Sequence, residues 1–229
     1  MRRSLALLLN IYRLNAMGIL EKGITGPITG KIGSIITYDL NGQNVARSVG
    51  KRTKPPTVLE RLNRARMKAV SEFLTPIKPY VKFGFQREAP RGSRVGAFQL
   101  AQSHLRKNAI AYDAENNPYI DPAKALIAKG TLVPPFNARL EVAGNRITLL
   151  WDVRQGGRSD DRLFIVLYDG DKYRDFRELG AKREEMKDVW EADFTRYTSR
   201  PIHVYGAFRD TLFDVVSDSV YFGAFAPNE

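Results

Sequence analysis

The chain offers few side chains for acid–base or nucleophilic catalysis. It contains two histidines, His104 and His203, and no cysteine in 229 residues. A nucleophilic triad needs an imidazole held beside a hydroxyl and a carboxylate, and thiolate nucleophiles and thiolate zinc sites need cysteine. His203 falls in an alternating, strand-like segment and His104 in a helical one, patterns typical of packed or surface histidines. We therefore predict no catalytic residues and no enzyme activity.

Two acidic pairs and one glycine-rich stretch come closest to cofactor sites. Asp169-Gly170-Asp171 and Asp160-Asp161 supply hard oxygen ligands, but neither has the acidic spacing and downstream glutamate of a calcium loop. Asp-Gly is also a preferred hairpin connection. Gly26 and Gly30-Lys31 approach a phosphate-binding loop, but three residues separate the glycines instead of four, and Ile32 replaces the metal-binding hydroxyl. We predict no metal and no other cofactor.

Positive charge is the most informative feature of the sequence. Residues 1–130 carry 22 Lys and Arg against 8 Asp and Glu, a net charge of +14, whereas residues 131–229 have a net charge of −3. A positive field of this strength attracts anionic partners such as nucleic acid, a membrane surface or an acidic protein. The basic residues that we predict to bind an anion or nucleic acid are Arg47, Lys51, Arg52, Lys54, Arg61, Arg64 and Lys68.

The first four of these candidates lie on a predicted hairpin and the loop that follows it. Asn41-Gly42, between two β-prone runs, is a strong signal for a two-residue hairpin connection. The returning strand is predicted over residues 45–49. Pro55-Pro56 ends this region, because paired prolines stop both sheet pairing and helix formation.

The other three candidates lie on a predicted helix. Thr57 with Glu60 three residues later makes a capping box, and Pro76 closes the helix. Arg61, Arg64 and Lys68 recur at intervals of three and four, so they share one face. The opposite, apolar face is predicted to consist of Val58, Leu59, Leu62, Ala65, Ala69, Val70, Phe73 and Leu74. A second helix is predicted over residues 95–108 and a short helical segment over residues 122–129.

Beyond Pro134-Pro135 the hydrophobic period changes to two, which is typical of strands. Strands are predicted over residues 146–153, 162–168, 202–208 and 219–222, with turns that include Arg209-Asp210. Residues 184–190 fit either an edge strand or a helical turn. Several short strands within about 95 residues, with Trp151 on an early one, predict an immunoglobulin- or fibronectin-like sandwich. The predicted class is α+β: a basic N-terminal hairpin-plus-helices region followed by an all-β sandwich.

We divide the chain into three segments: an upstream extension of residues 1–16, a basic β-hairpin and helical region of residues 17–133, and a β-sandwich of residues 134–229. Arg2-Arg3 and the apolar run after them resemble a signal peptide, but Arg13 interrupts the run and no small-residue cleavage site follows. Met17 is an alternative start. No segment reaches the roughly 18 consecutive apolar residues of a membrane helix. The predicted compartment is the cytoplasm.

Several short motifs resemble one bacterial family. They include Gly23-Ile24-Thr25-Gly26, Gly30-Lys31-Ile32-Gly33, Lys54-Pro55-Pro56-Thr57, Arg64-Ala65-Arg66 and Val216-Ser217-Asp218-Ser219-Val220-Tyr221. These motifs are similar to the domain of unknown function 6266 family, found mainly in Bacteroidota. The resemblance covers nearly everything from Met17 onward. It supports the two-part architecture and implies no activity or site residue.

Two functional classes follow from these observations. The lack of catalytic groups and the sandwich pattern predict a non-enzymatic binding or structural assembly protein, with a protein partner or a homo-oligomer and no membrane. The alternative is a nonspecific nucleic-acid-binding protein that uses the basic N-terminal half. No base-reading motif accompanies the basic cluster, so this alternative predicts affinity without sequence specificity.

Overall fold

The computed structural model describes residues 17–19, 28–40, 42–50, 53–89, 95–196 and 198–227. These residues form three α-helices and many antiparallel strands in several sheets, which confirms the α+β class. The chain divides into two compact units. One comprises residues 1–56 with 92–94, and the other comprises residues 57–91 with 95–229. The predicted extension, residues 1–16, lies outside the described residues.

The first unit contains a four-stranded antiparallel sheet in the order β1-β4-β3-β2. Its strands are β1 (Met17–Ile19), β2 (Gly30–Ile32), β3 (Ile35–Leu40) and β4 (Gln43–Ser48). Leu40 lies opposite Gln43, so the predicted two-residue hairpin is confirmed. Gly42 has a φ of +84°, a conformation that glycine adopts without strain, and its N–H donates to Asp39 Oδ1 at 3.1 Å. Residue 41 itself is outside the described residues.

The second unit begins with helix α1 (Val58–Leu74). The predicted capping box is confirmed, because the Glu60 N–H donates to Thr57 Oγ1 at 3.2 Å and the Thr57 N–H donates to Glu60 Oε2 at 2.7 Å. The predicted apolar face is wrong at its start, since Val58 and Leu59 are each 71% exposed. The buried part of the helix is its C-terminal half. Helical spacing identifies a face but does not show where the neighbouring elements end.

Two further helices follow, α2 (Lys78–Gly84) and α3 (Ala97–Asn108). Helix α3 confirms the second predicted helix. Helix α2 was not predicted. Pro79 stands in its first turn, where the N–H that proline lacks would have no helical partner. A small hairpin, β5 (Ile110–Tyr112) and β6 (Pro118–Ile120), comes next, and the predicted helical segment reduces to one 3-10 turn, Pro122–Lys124. None of the helices in the described ranges has the length and apolar content to span a bilayer.

The remaining strands form two antiparallel sheets. They are β7 (Phe136–Ala143), β8 (Arg146–Asp152), β9 (Arg162–Tyr168), β10 (Arg174–Arg177), β11 (Lys187–Glu191), β12 (Ile202–Asp210), β13 (Val215–Val216) and β14 (Val220–Phe225). One sheet has the order β11-β8-β7; in the other, β10-β9-β12 continues to β13 and β14, which both pair with β12. The four predicted strands correspond to β8, β9, β12 and β14. Both interpretations of residues 184–190 hold in part, since a 3-10 turn, Arg183–Glu185, precedes edge strand β11.

The sheet containing β9 and β12 is buried on both faces. Leu163, Ile165 and Leu167 of β9 pack against the β11-β8-β7 sheet. The alternate residues Phe164 and Val166 pack in a core that also contains side chains of α1, α2 and α3. The helices and the strands therefore share a core. The predicted boundary at Pro134-Pro135 lies inside the second unit, and the two units divide between Pro56 and Thr57.

Candidate protein-binding surface

The structure divides the predicted basic residues between the two units. Arg47 lies on β4, with its guanidinium 6.0 Å from the centre of the Tyr38 ring. Lys54 follows in the same unit, and Lys51 and Arg52 lie outside the described residues. The other three candidates lie on α1, so one helix positions all three of them.

Arg61, Arg64 and Lys68 are exposed on one face of α1, as predicted. Lys68 Nζ lies 3.7 Å from Glu72 Oε1, so its charge is partly balanced. Within the described part of the chain, Arg61 and Arg64 have no acidic side chain at ion-pair distance. Arg66 has a structural contact instead: its Nε donates to the Tyr112 hydroxyl at 2.7 Å. The positive surface of α1 is therefore centred on two arginines one turn apart.

The two histidines lie on different elements, His203 on β12 and His104 on α3. His203 Nδ1 lies 2.9 Å from the Tyr221 hydroxyl, and burial lowers the pKa of His203. His104 lines a cavity of about 190 Å³ together with Glu88 and Lys129, and burial followed by the charge of Lys129 lowers the pKa of His104. In the described ranges neither imidazole hydrogen-bonds to a serine or a carboxylate, so the geometry contains no nucleophile–base pair there.

The acidic pairs serve turns and ion pairs. The Asp171 N–H donates to Asp169 Oδ1 at 2.8 Å, and Gly170 has a φ of +80°, as a turn requires. Asp160 pairs with Arg158, with Nε and Oδ1 3.0 Å apart. Taken over the described residues, no group of three or more His, Asp or Glu side chains is arranged to hold a metal ion.

Three loops of the second unit meet at one end of the paired sheets. They are residues 153–161 between β8 and β9, residues 178–186 between β10 and β11, and residues 211–214 between β12 and β13. Antiparallel pairing brings them together: Arg162, at the start of β9, lies opposite Arg209, near the end of β12. Arg177, at the end of β10, lies opposite Ile165. We call these three loops the loop end.

A buried arginine joins two of these loops. Arg183, in the second loop, and Asp161, in the first, are each about 1% exposed, with Arg183 Nη2 2.8 Å from Asp161 Oδ2. The same Nη2 donates to the Val133 carbonyl at 2.9 Å, and the guanidinium lies 3.8 Å from the centre of the Phe208 ring. A Cβ at Gly157 would lie 2.7 Å from Arg183 Nη1, so the first loop needs glycine there.

The third loop is held from three sides. Asp210 Oδ1 accepts the N–H of Leu212 at 2.8 Å and the N–H of Phe213 at 3.2 Å. Arg87 Nη2 donates to the Phe213 carbonyl at 2.9 Å. Arg209 Nη2 lies 2.8 Å from Asp214 Oδ1, and Arg209 also pairs with Glu178 of the second loop. The backbone of this loop is therefore fixed, while the side chains of Leu212 and Phe213 are exposed.

The loop end exposes an unusual share of large apolar side chains. Leu212 is 69% and Phe213 is 63% exposed. Four more lie on or beside the loops with exposures of 42–54%: Phe136, Val153, Leu179 and Met186. Among the described residues from 136 onward, the exposed large hydrophobic residues outside the loop end are Val142 and Val189. Exposed apolar residues concentrated in one place mark interaction sites.

The charges around these apolar residues balance locally. Lys182 pairs with Glu184 at 3.7 Å, and Arg139 with Asp152 at 3.3 Å, in addition to the Arg158–Asp160 pair. Residues 152–162, 177–187 and 210–215 together carry seven Lys and Arg against eight Asp and Glu, a net charge of −1. The loop end is thus almost neutral in a chain of net charge +11.

Sequence reasoning missed this surface. It predicted a turn at Arg209-Asp210, but both residues belong to β12, and the turn consists of residues 211–214. The available signal was Leu212-Phe213, two large apolar residues inside a turn, where polar residues and glycine predominate. Nothing in the sequence indicated that the other apolar residues of the loop end would be their neighbours.

A family model described as "Family of unknown function (DUF6266)" matches residues 27–223. The chain belongs to this family. The matched range of DUF6266 includes α1 and the whole loop end, whereas the motif at residues 23–26 lies before it. No curated protein and no solved structure matches this DUF6266 chain significantly.

Proposed function

We propose that this DUF6266 chain is a non-enzymatic binding or assembly protein that holds a protein partner at the loop end. The observation that supports it is Leu212 and Phe213, exposed at the tip of a loop whose backbone is fixed by Asp210, Arg87 and Arg209. Burying one such side chain contributes about 1.5–3 kcal/mol. A rigid loop loses little conformational entropy on binding, so most of that contribution remains as affinity.

The proposal includes an immunoglobulin- or fibronectin-like sandwich as the scaffold. Counted from β7, the first, second and fifth strands form one sheet, and the other five form the second sheet. Apart from the two-residue strand β13, the second sheet consists of the third, fourth, sixth and last strands. This distribution is similar to that of fibronectin-type sandwiches, in which loops cluster at the two ends. A rigid sheet scaffold that presents variable loops is a common arrangement for binding. The helical layer on the second sheet is an addition to that scaffold.

Site-specific photocrosslinking in the native host tests the proposal. With a photoreactive amino acid in place of Leu212, we expect discrete crosslinked protein species, because the tip would be buried in the partner. The matched control carries the same group in place of Val142, which is 45% exposed on edge strand β7 outside the loop end. Adding Phe213→Ser to the Leu212 probe should reduce crosslinking at least about tenfold, since it removes a large apolar contact. Equal crosslinking from positions 212 and 142 would contradict the proposal.

Nonspecific nucleic-acid binding is the second candidate function. It is favoured by Arg61 and Arg64, which are exposed one turn apart on α1 and lack ion-pair partners among the described residues. If they contact phosphates, reversing both charges weakens binding about tenfold or more and flattens the dependence of affinity on salt, because fewer counterions are released. Titration of DNA and RNA at two salt concentrations measures both effects.

A control with the same change in net charge separates a local site from a general field. Lys172→Glu with Lys187→Glu alters two exposed residues of the strand region by the same total charge. The second candidate predicts that this control binds nearly as well as the unaltered chain at physiological salt. Equal losses in the two variants would show that only the overall charge matters, and no loss in either would remove the candidate.

A further inference from the structure

We propose that the loop end binds a second copy of this chain and forms a two-fold symmetric dimer. The inference rests on the proposed binding role of the loop end and names the partner. In a two-fold contact the same surface is used by both copies, so Leu212 and Phe213 of one copy pack against the loop end of the other. Three observations support self-association: the charge balance, the apolar area and the rigidity of the loops.

The charge balance favours a second copy over a charged partner. At a two-fold axis each residue near the axis faces a copy of itself, so an excess of one sign would repel the partner. The loops of the loop end together with their flanking residues, 152–162, 177–187 and 210–215, have a net charge of −1. Their exposed charges are largely paired within one chain, as in Arg158–Asp160 and Lys182–Glu184. The chain as a whole carries +11, so two copies meeting through its basic surfaces would repel each other.

The exposed apolar area suits a weak dimer. Leu212, Phe213 and the four apolar residues on or beside the loops are each between 42% and 69% exposed. An exposed apolar patch of roughly 300–600 Å² is often functional. A specific interface needs about 1,000 Å² in total, or about 500 Å² from each copy, so the loop end fits the lower limit of interface size. We expect a dissociation constant on the order of micromolar, as for weak, reversible contacts at the small end of the interface range.

Ion pairs hold the three loops of the loop end together within one chain. Arg183 joins the first two loops through Asp161, and Arg209 joins the second and third through Glu178 and Asp214. Each arginine is largely buried. Contact between two such preorganised surfaces requires little reordering of backbone, so a modest apolar area is sufficient for association.

Sedimentation equilibrium of the purified full chain tests this inference. We expect a reversible monomer–dimer equilibrium whose affinity holds or rises at high salt, because apolar burial drives it and salt screens the repulsion between the +11 chains. The double variant L212S/F213S should raise the dissociation constant about 100-fold or more, since two central apolar contacts are lost. The matched control V58S/V142S removes two exposed apolar residues outside the loop end and should dimerise like the unaltered chain. Unchanged thermal unfolding temperatures establish that both variants fold.

The outcomes separate this inference from the proposed function. A chain that stays monomeric at all concentrations overturns the dimer, and so does a dimer that L212S/F213S leaves intact. If the chain is monomeric but the photoreactive group at position 212 still crosslinks to a different protein in the host, the loop end binds a partner and only its identity is wrong. If both experiments are negative, the binding role of the loop end fails with the dimer.

Discussion

Replacing Arg183 by methionine lowers the free energy of unfolding by about 3–5 kcal/mol, the range expected when one partner of a buried ion pair is removed. Asp161 would remain about 1% exposed with its charge uncompensated. The Val133 carbonyl would also lose its donor. Denaturant unfolding of the unaltered chain and of R183M measures the difference.

Two further variants show whether the buried charge is the cause. R158M removes an exposed partner of Asp160 in the same loop, and it should change the free energy of unfolding very little, because solvent screens exposed pairs. R183M/D161N leaves no unpaired charge and should recover more than half of the loss in R183M. Equal effects of R183M and R158M would show that the pair does not join the loops. If R183M/D161N is as unstable as R183M, the loss of unfolding free energy comes from packing and not from an unpaired charge.

Replacing Phe164 by alanine lowers the free energy of unfolding by about 3–5 kcal/mol, the usual cost of deleting a buried ring. Phe164 is fully buried, and its ring centre lies 5.3 Å from that of Phe83 on α2 and 5.0 Å from that of Phe176 on β10. The side chain therefore belongs to the core that the helices share with the strands. Ile165→Ala, on the opposite face of β9, should cost about 2–5 kcal/mol, because that face packs against the other sheet.

The shape of these transitions tests how the chain is divided. If helices and strands share one core, far-ultraviolet circular dichroism and tryptophan fluorescence report one coincident transition in F164A. Both tryptophans lie in the strand region, so fluorescence follows the sheets, while the helical signal follows α1 to α3. Helices that melt separately from the sheets would favour the boundary predicted at Pro134-Pro135 over a shared core.

Features that depend on neighbouring residues were predictable from the sequence. The capping box of Thr57 and Glu60 starts α1 because its two hydrogen bonds lie within one turn. The hairpin at Gly42 follows from the preference of glycine for positive φ. Strand β9 was predicted at its observed bounds, since seven residues with only one polar side chain, Arg162, form a recognisable run.

Features that depend on distant residues were not predictable in the same way. The sequence of β9 does not indicate that one of its faces packs against the helices and the other against the second sheet. A strand that is covered on both sides is apolar throughout, so its two faces look alike in the sequence. Val58 and Leu59 fit the helical spacing of the apolar face of α1, so the sequence predicted that they are buried. Among the described residues, however, no neighbouring element covers them. Strand β7 was not predicted, although its apolar residues Phe136, Ala138, Leu140 and Val142 alternate with polar ones in the manner of a strand.

The two candidate sites, the basic face of α1 and the loop end, also differ in whether neighbouring residues alone could predict them. Three of the predicted basic residues share a face of α1 because helical geometry alone places them there. The loop end has no such local rule: its loops are separated by 16 to 24 residues of intervening chain, and antiparallel pairing brings them together. Arg183 and Asp161 are 22 residues apart, and only the folded chain shows that they form a buried pair.

The amino-acid sequence alone determined the α+β class, the helix and hairpin starts, the basic charge and the membership of the family. The first three follow from composition or from residues within one or two turns of each other, where backbone geometry leaves few choices. The family membership follows from the match over residues 27–223. The tertiary structure decided which apolar residues stay exposed, which charges cancel and which elements share a core. Those properties are set by contacts across the chain, because burial and pairing depend on what a side chain meets and not on its type.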